Sequence, residues 1–287
     1  MSFQEWEGYH SHEIMQNGIW KQEDRQGGRF YSLCHHPRLQ GVIHAFSTRR
    51  GGVSPPPFDS LNFSTSTGDL PARVQANREA LLQSLDAGEA CLHTLRQVHS
   101  TRVRRVQADD PITLPPPEGD ALVTACPGHF LGVLTADCCP ILIASPEERV
   151  VAAIHAGWKG SGDGIGPTCL DAMKEAGACH PERMLVLIGP TIGPCCYQVG
   201  EEVREAFVSR HPFSEAHFAV DPAGRPRTPR WKLDLPAFHR QLLVRCGIPE
   251  ENIYTLSLCT RCHPQLFFSY RRDGAVTGRM LSLIGLA

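Results

Sequence analysis

Residues 132–166 read GVLTADCCPILIASPEERVVAAIHAGWKGSGDGIG, and the fold is decided here. Three apolar runs, at 132–135, 141–144 and 150–154, have the length of buried strands, and the turn-like Ser145-Pro146-Glu147-Glu148-Arg149 divides the last two. Thr135-Ala136-Asp137-Cys138-Cys139 stands at the end of the first run. His155 stands at the end of the third, followed at once by a glycine-rich segment. An acid, two thiols and an imidazole are thereby delivered to strand ends, where side chains converge on loop-lined pockets.

Working outward, Val42-Ile43-His44-Ala45-Phe46 reads as a strand, with a glycine- and proline-rich loop after it. Asp69 is placed to cap a helix that carries Pro71 in its first turn and Val74, Leu81, Leu82 and Leu85 on its apolar face. Residues 92–99 and 103–107 are expected to pair as strands, and the proline-rich 111–117 to form a surface loop. Ile165, Cys169, Ala172 and Ala176 recur at helical spacing before Gly177. Residues 184–188 read as a strand, 201–210 as a helix, 221–230 as an exposed loop, and Asp234 as the cap of a helix that ends before Gly247. Strands near 253–256 and 267–270 close the chain. Strands and helices mix without strict βαβ alternation, which predicts a single α+β domain over residues 30–287, preceded by an N-terminal extension of residues 1–29.

The chain has 287 residues, 41% hydrophobic and 20% charged, an ordinary globular make-up with room for a large core. Its 28 basic and 30 acidic residues leave a formal charge of −2, so no electrostatic footprint for nucleic acid or an anionic membrane is present. No apolar run reaches the roughly 18 residues of a membrane span, and the polar, acidic start lacks the features of a secretory signal. The expected compartment is cytoplasmic. The 12 cysteines are therefore expected as reduced thiols, one or two of them used chemically, rather than as a disulfide framework.

Taken from residue chemistry alone, His99, Cys138 and His155 suit a three-ligand metal site with an open position, since neutral imidazole and thiolate both bind zinc well. Cys139 is the rival thiol, because neighbours on a strand face opposite ways and only one can reach the site. The same atoms allow a second chemistry, with Cys138 as nucleophile, His155 as its base and Asp137 or another polar group as the orienter. Residues 157–166 leave backbone amides free at a helix start, and Lys159 adds charge for a phosphate. They match neither the Walker A nor the dinucleotide fingerprint, and a tight strand-to-helix turn explains them equally well. Cys259-Thr260-Arg261-Cys262-His263 has the spacing of a haem attachment site, a chemistry that requires export. As half of a zinc site it lacks a second Cys-x-x-Cys, which leaves a structural role or one of supporting the ligands of another site.

Many short motifs then occur in one order. They begin with Ser47-Thr48-Arg49, Gly51-Gly52-Val53-Ser54, Ser60-Leu61-Asn62, Gln97-Val98-His99 and Asp120-Ala121-Leu122-Val123-Thr124. Thr135-Ala136-Asp137-Cys138, His155-Ala156-Gly157-Trp158 and Ile188-Gly189-Pro190 with Cys195-Cys196-Tyr197 follow. Cys259-Thr260 and Phe267-Phe268-Ser269-Tyr270-Arg271-Arg272 complete the series. In these motifs and their order the chain resembles the laccase-domain family, once described as multicopper polyphenol oxidases and typified by the bacterial YfiH and YlmD proteins. The resemblance runs from about Val42 to the C-terminus. Lys159 stands where the family usually has Arg, Gln198 where Glu is common, and Ser100 where Gly is common.

The resemblance implies mixed β-sheets packed together with helices on the outside, and a zinc ion held by His99, Cys138 and His155. It implies a purine nucleoside phosphorylase acting on adenosine, inosine and methylthioadenosine, with adenosine deaminase activity, so that the partners are a small nucleoside and phosphate. Arg49, Lys159 and Arg271 lie in or beside family motifs and are the expected phosphate-binding groups. Asn62 and Asp137 join Cys138 as expected catalytic residues. Either would hydrogen-bond the leaving purine, or Asp137 would hold the far N–H of His155 or His99, the more expected of its roles. A cysteine hydrolase or deamidase built on Cys138 and His155 is the alternative, because the family fold resembles the catalytic domain of cytotoxic necrotizing toxins. A copper-dependent polyphenol oxidase is the older label. Such an enzyme needs many His-x-His pairs on several all-β domains, and this chain has one pair, His10-Ser11-His12, and is too short, although copper would bind at a His/Cys site.

Overall fold

The structure, a computed structural model, describes residues 20–25, 28–33, 37–224 and 229–287. The first strands are β1 (Trp20–Arg25), β2 (Gly28–Leu33), β3 (Val42–Ser47), β4 (Cys91–His93), β5 (Val103–Val106), β6 (Ala121–Thr124) and β7 (His129–Thr135). They are followed by β8 (Cys139–Ser145), β9 (Val150–Ala156), β10 (Leu185–Ile188), β11 (Gln198–Gly200), β12 (Phe218–Val220), β13 (Arg230–Leu233), β14 (Ile253–Thr255) and β15 (Met280–Leu286). One six-stranded sheet has the order β1-β2-β3-β15-β7-β4 and the other β14-β10-β8-β9-β6-β5, with a small β11-β13-β12 sheet beside them.

The three apolar runs became β7, β8 and β9 because both of their faces are covered. Ile141, Ile143, Val150, Ala152 and Ile154 share a core with Ile165, Cys169 and Met173 of the helix Ile165–Glu175 and Leu242 and Leu243 of the helix Leu235–Arg245. The alternate residues Leu142, Ala144, Val151 and Ala153 pack with Phe46, Leu131, Val133 and Ile284 of the first sheet. That sheet's other face, with Ala45, Phe130, Leu281 and Leu283, is covered by Leu81 and Leu82 of the helix Pro71–Ser84. The layers are thus helix, sheet, sheet, helices. Strands buried on both sides read as continuous apolar runs, and this is the expected arrangement of packed mixed sheets with helices outside.

Several local expectations change. Residues 92–99 and 103–107 do not pair with each other, because β4 runs parallel to β7 in one sheet and β5 parallel to β6 in the other. The chain between them crosses from sheet to sheet and carries His99. Residues 267–270 are not a strand. Phe267 and Phe268 fill the core between the sheets, and Ser269 caps the short helix Tyr270–Asp273 by accepting from Arg272 N at 3.2 Å. The closing strand is β15, which lies between β3 and β7 within the first sheet. Asp69 does not cap its helix, since Leu70 occupies the N-cap and Asp69 accepts instead from Leu70 N at 2.8 Å and Asn62 Nδ2 at 3.0 Å. Asp234 caps as expected, accepting from Ala237 N at 3.0 Å.

At the N-terminus, β1 and β2 form an antiparallel ladder from Trp20 opposite Leu33 to Arg25 opposite Gly28, on the edge of the first sheet. His10 and His12 lie outside the described residues. No helix among the described residues is long and apolar enough to cross a membrane.

Candidate metal centre

Strand register assembles the site. Asp137, with a φ of 97°, turns the chain after β7, and Cys138 stands directly before β8. β8 pairs with β9 so that Cys139 faces Ala156 and Pro140 faces His155, which brings Cys138 beside His155. β9 pairs with β6 through Ala121 and Ile154, which sets Asp120 next to His155. His99 arrives on the crossover from the first sheet, itself at a φ of 56°. The ligand atoms of His99, Cys138 and His155 all lie within 4.8 Å of one another. Cys139 is fully buried in the core, and burial pushes its thiol well above the ordinary range. Cys138 is therefore the thiol at the site. His155 is buried and His99 exposed, so the cluster opens to solvent on the His99 side.

A fully buried carboxylate holds this cluster from behind. Asp120 Oδ1 lies 2.9 Å from His155 Nδ1 and accepts from His99 N at 3.0 Å. Asp120 Oδ2 accepts from Val98 N at 3.3 Å, Ser100 N at 2.6 Å and Ser100 Oγ at 2.7 Å. Burial opposes the charge on Asp120, but its bonds to His155 and Ser100 prevail and hold its pKa down to about 2. Burial also opposes a charge on His155, yet Cys138 and Asp120 raise its pKa to about 9. His99 is shifted down by burial and by the neighbouring His155, with Lys159 adding to the effect. A proton fixed on His155 Nδ1 by Asp120 leaves Nε2 for a metal or a thiol. The carboxylate that meets the His155 ring is Asp120, the other polar group that the expectation left open beside Asp137. Its mark in the sequence is an acid directly before an apolar strand, and only the pairing of β6 with β9 makes it a partner of His155.

Gly157 is required by the crowding. A Cβ there would stand 2.3 Å from His99 Nδ1 and 3.3 Å from Cys138 Sγ, so a side chain would displace the imidazole. The helix Trp158–Asp163 begins at this point, and Gly164 in the left-handed region (φ 91°) separates it from the helix Ile165–Glu175. Ser161 Oγ lies 2.7 Å from Nε2 of the fully buried His239, which ties the first of these helices to Leu235–Arg245.

Asp137 is a junction of loops. Its carboxylate accepts from Thr260 Oγ1 and Arg271 N, both at 2.6 Å, and its carbonyl accepts from Thr191 Oγ1 at 2.6 Å and Ile192 N at 2.9 Å. Arg271 is held further by a 2.9 Å bond from Nη1 to Gln198 O, with its guanidinium 5.3 Å from the centre of the Tyr197 ring. Burial and the nearby Cys138 raise the Tyr197 phenol pKa. Arg279, absent from the sequence expectations, is part-buried. Burial lowers its pKa, and the negative charges of Cys138 and Asp137 oppose that shift.

The other expected residues are committed differently. Lys159 is exposed and pairs with Asp163 at 3.3 Å. Arg49 donates from Nε to Asp59 O at 2.7 Å, pairs through Nη2 with Asp59 Oδ1 at 3.1 Å, and lies over Phe268 at 4.5 Å. Its guanidinium serves its own loop. Asn62 is fully buried, donating from Nδ2 to Ser64 O at 3.1 Å and Asp69 Oδ2 at 3.0 Å. Its Oδ1 accepts from Ser64 N at 3.1 Å and Arg279 N at 3.0 Å. With both ends of its amide engaged, Asn62 holds a loop and the Arg279 backbone.

A second cluster forms where Cys259-x-x-Cys262 meets Cys195-Cys196, with all four sulfurs within 4.8 Å of one another. The missing half of that motif was an adjacent pair, which no Cys-x-x-Cys search finds.

A family described as multi-copper polyphenol oxidoreductase laccase matches residues 43–287. A purine nucleoside phosphorylase of Xylella fastidiosa is 38% identical over 266 residues, which cover 89% of this chain and 98% of the relative. Another, from Deinococcus radiodurans, is 39% identical over 255 residues, covering 88% and 92%. The crystal structure of the YfiH protein of Bacillus licheniformis aligns with a TM-score of 0.84 and 32% identity, over 93% of this chain and 99% of that one.

Proposed function

Because this chain belongs to the multi-copper polyphenol oxidoreductase laccase family, with phosphorylase-named relatives, we propose that it is a zinc-dependent purine nucleoside phosphorylase. It cleaves the N-glycosidic bond of adenosine, inosine and methylthioadenosine by phosphate attack at the ribose C1′ carbon, and it hydrolyses the 6-amino group of adenosine. The convergence of His99, Cys138 and His155 over buried Asp120 carries this reading.

The donors fit the metal. Two imidazoles and a thiol supply three ligands of the kind that catalytic zinc sites use, and Asp120 fixes the tautomer of one. Copper is the substitute that these donors would also accept. Bound there, zinc would act as a Lewis acid with an open position, the chemistry that activates water for deamination.

Phosphorolysis makes its own demands on the protein: phosphate must be held beneath the sugar while C1′ gains positive charge, and the leaving purine must be stabilised. Arg271 is the main phosphate group, since Asp137 fixes its backbone while Gln198 and Tyr197 orient its side chain. Lys159 and Arg279 add positive charge to the field of the site. Arg49 contributes least, because Asp59 already engages it. Asp137 acts by positioning Arg271.

Incubated with adenosine and phosphate, the protein should yield adenine and ribose 1-phosphate, and without phosphate only inosine. Zinc-loaded protein that forms neither adenine nor inosine would overturn the proposal. A second reading rests on the line Cys138–His155–Asp120, which is also the arrangement of a cysteine hydrolase. Chelation separates the two, since it would spare a thiol hydrolase.

A further inference from the structure

We propose that Cys195, Cys196, Cys259 and Cys262 form a second and closed metal site, binding one zinc ion as a tetrathiolate. The inference is independent of the catalytic proposal. Its first support is geometric: all four sulfurs lie within 4.8 Å of one another, with Cys195 and Cys196 at 3.7 and 3.4 Å from Cys262. Zinc–sulfur bonds of about 2.3 Å in a tetrahedron place ligand sulfurs roughly 3.8 Å apart, close to the two separations from Cys262 and inside the 4.8 Å that bounds the rest. A disulfide needs about 2.05 Å, and here Cys262 is close to two sulfurs rather than bonded to one.

The local backbone suits ligation. Cys195 and Cys196 occupy a turn, not a strand, so adjacent side chains need not point to opposite faces. Cys196 N and Tyr197 N both donate to Gly193 O at 2.9 Å, which closes that turn. Gly193 N donates to Cys259 Sγ at 3.2 Å, and Arg261 Nη1 to Cys196 Sγ at 3.5 Å. Such N–H donors are the outer partners that stabilise coordinated thiolates. On binding, each thiol would release its proton to solvent.

Four protein ligands leave no open position, so the ion would be structural. What it would brace is specific. Thr260 N donates to Thr191 O at 3.0 Å, joining the two cysteine-bearing loops. Thr191 and Ile192 hold the Asp137 carbonyl, and Thr260 holds its carboxylate. The ion would staple to each other the two loops that fix Asp137 next to Cys138.

The test begins with Cys138→Ser, which takes the one thiolate away from the His99–Cys138–His155 centre. This variant, purified under reducing conditions, should retain one equivalent of zinc by elemental mass spectrometry. Reloaded with cobalt(II), it should show thiolate-to-cobalt charge-transfer absorption, lost in the Cys138→Ser/Cys259→Ser/Cys262→Ser variant. Should that triple variant not fold, thiol labelling of Cys138→Ser gives the same answer: these four cysteines should react only after a chelator is added. A metal-free Cys138→Ser protein would overturn the proposal. So would a cobalt–thiolate band that survives the loss of Cys259 and Cys262, or a disulfide among the four cysteines in protein isolated without reductant.

Discussion

Two clusters of soft donors meet around Asp137 and are built in opposite ways. His99, Cys138 and His155 are placed by strand register and a crossover between sheets, with the buried Asp120 carboxylate accepting five hydrogen bonds behind them. Cys195, Cys196, Cys259 and Cys262 are placed by turns and short loops, and among the described residues the Gly193 backbone and Arg261 donate N–H groups to the sulfurs. Three mixed ligands leave a position for chemistry, whereas four thiols leave none. The comparison teaches that donor number and backing would separate a reacting centre from a brace, even if both were to bind the same ion.

The largest expected effect comes from Cys138→Ala. It should abolish both phosphorolysis and deamination and remove one metal equivalent, leaving the four-cysteine cluster loaded. Metal analysis beside product chromatography checks this, and retained activity would erase the distinction between the clusters. Asp120→Asn comes next. The amide keeps the size of the carboxylate but cannot accept the same set of N–H and O–H donors, so metal affinity or activity at the first cluster should fall about 10–100-fold. A competition assay with a zinc chelator measures it, and the affinity of the four cysteines should not change.

Acid should loosen the first cluster's side of the molecule before carboxylates titrate. Burial lowers the His239 pKa to about 3, with the charge of His211 adding to the shift. An unfolded chain binds that proton near pH 6.5, so stability is full above about 6.5 and declines as pH falls toward about 3, by a few kcal/mol across the window. His239→Gln should flatten the dependence between pH 6.5 and 4 in chemical denaturation. An unchanged slope would mean that the tie between Ser161 and His239 does not anchor the helix after Gly157.

The smallest effects separate the basic residues. Arg271→Ala should raise the Michaelis constant for phosphate by about tenfold, as expected for the loss of a charge-assisted contact worth about 1.5 kcal/mol. Arg49→Ala should raise that constant far less and lower stability by about 1 kcal/mol, since its partners are Asp59, the Pro264 carbonyl and the Phe268 ring. Steady-state kinetics at varied phosphate, with a denaturation curve for each variant, decides between them.

The fold was legible where burial on both faces left a continuous signature, as at β7, β8 and β9, and where a cap marked a helix start, as at Asp234. It was illegible where sheet membership depends on distant partners. Nothing in residues 91–106 says that β4 and β5 belong to different sheets, and β15 gains its place only by pairing with β3 and β7. The donor types of the first cluster could be read directly, but their convergence came from the family resemblance, because catalytic ligands have no spacing code. Asp120 and the union of Cys195-Cys196 with Cys259 and Cys262 needed register and loop closure. Asn62 had the chemistry of a catalytic donor, yet the fold uses its amide to hold a loop.

The central claim is that the His99–Cys138–His155 centre works through its metal. The direct measurement is phosphate-dependent release of adenine from adenosine, followed before chelation, after chelation and after zinc is restored, in the wild-type chain and in Cys138→Ala. The account predicts that wild-type activity disappears with the metal and returns with zinc, while Cys138→Ala is inactive throughout. Full activity in metal-free wild-type protein, or zinc-restored activity in Cys138→Ala, would contradict it.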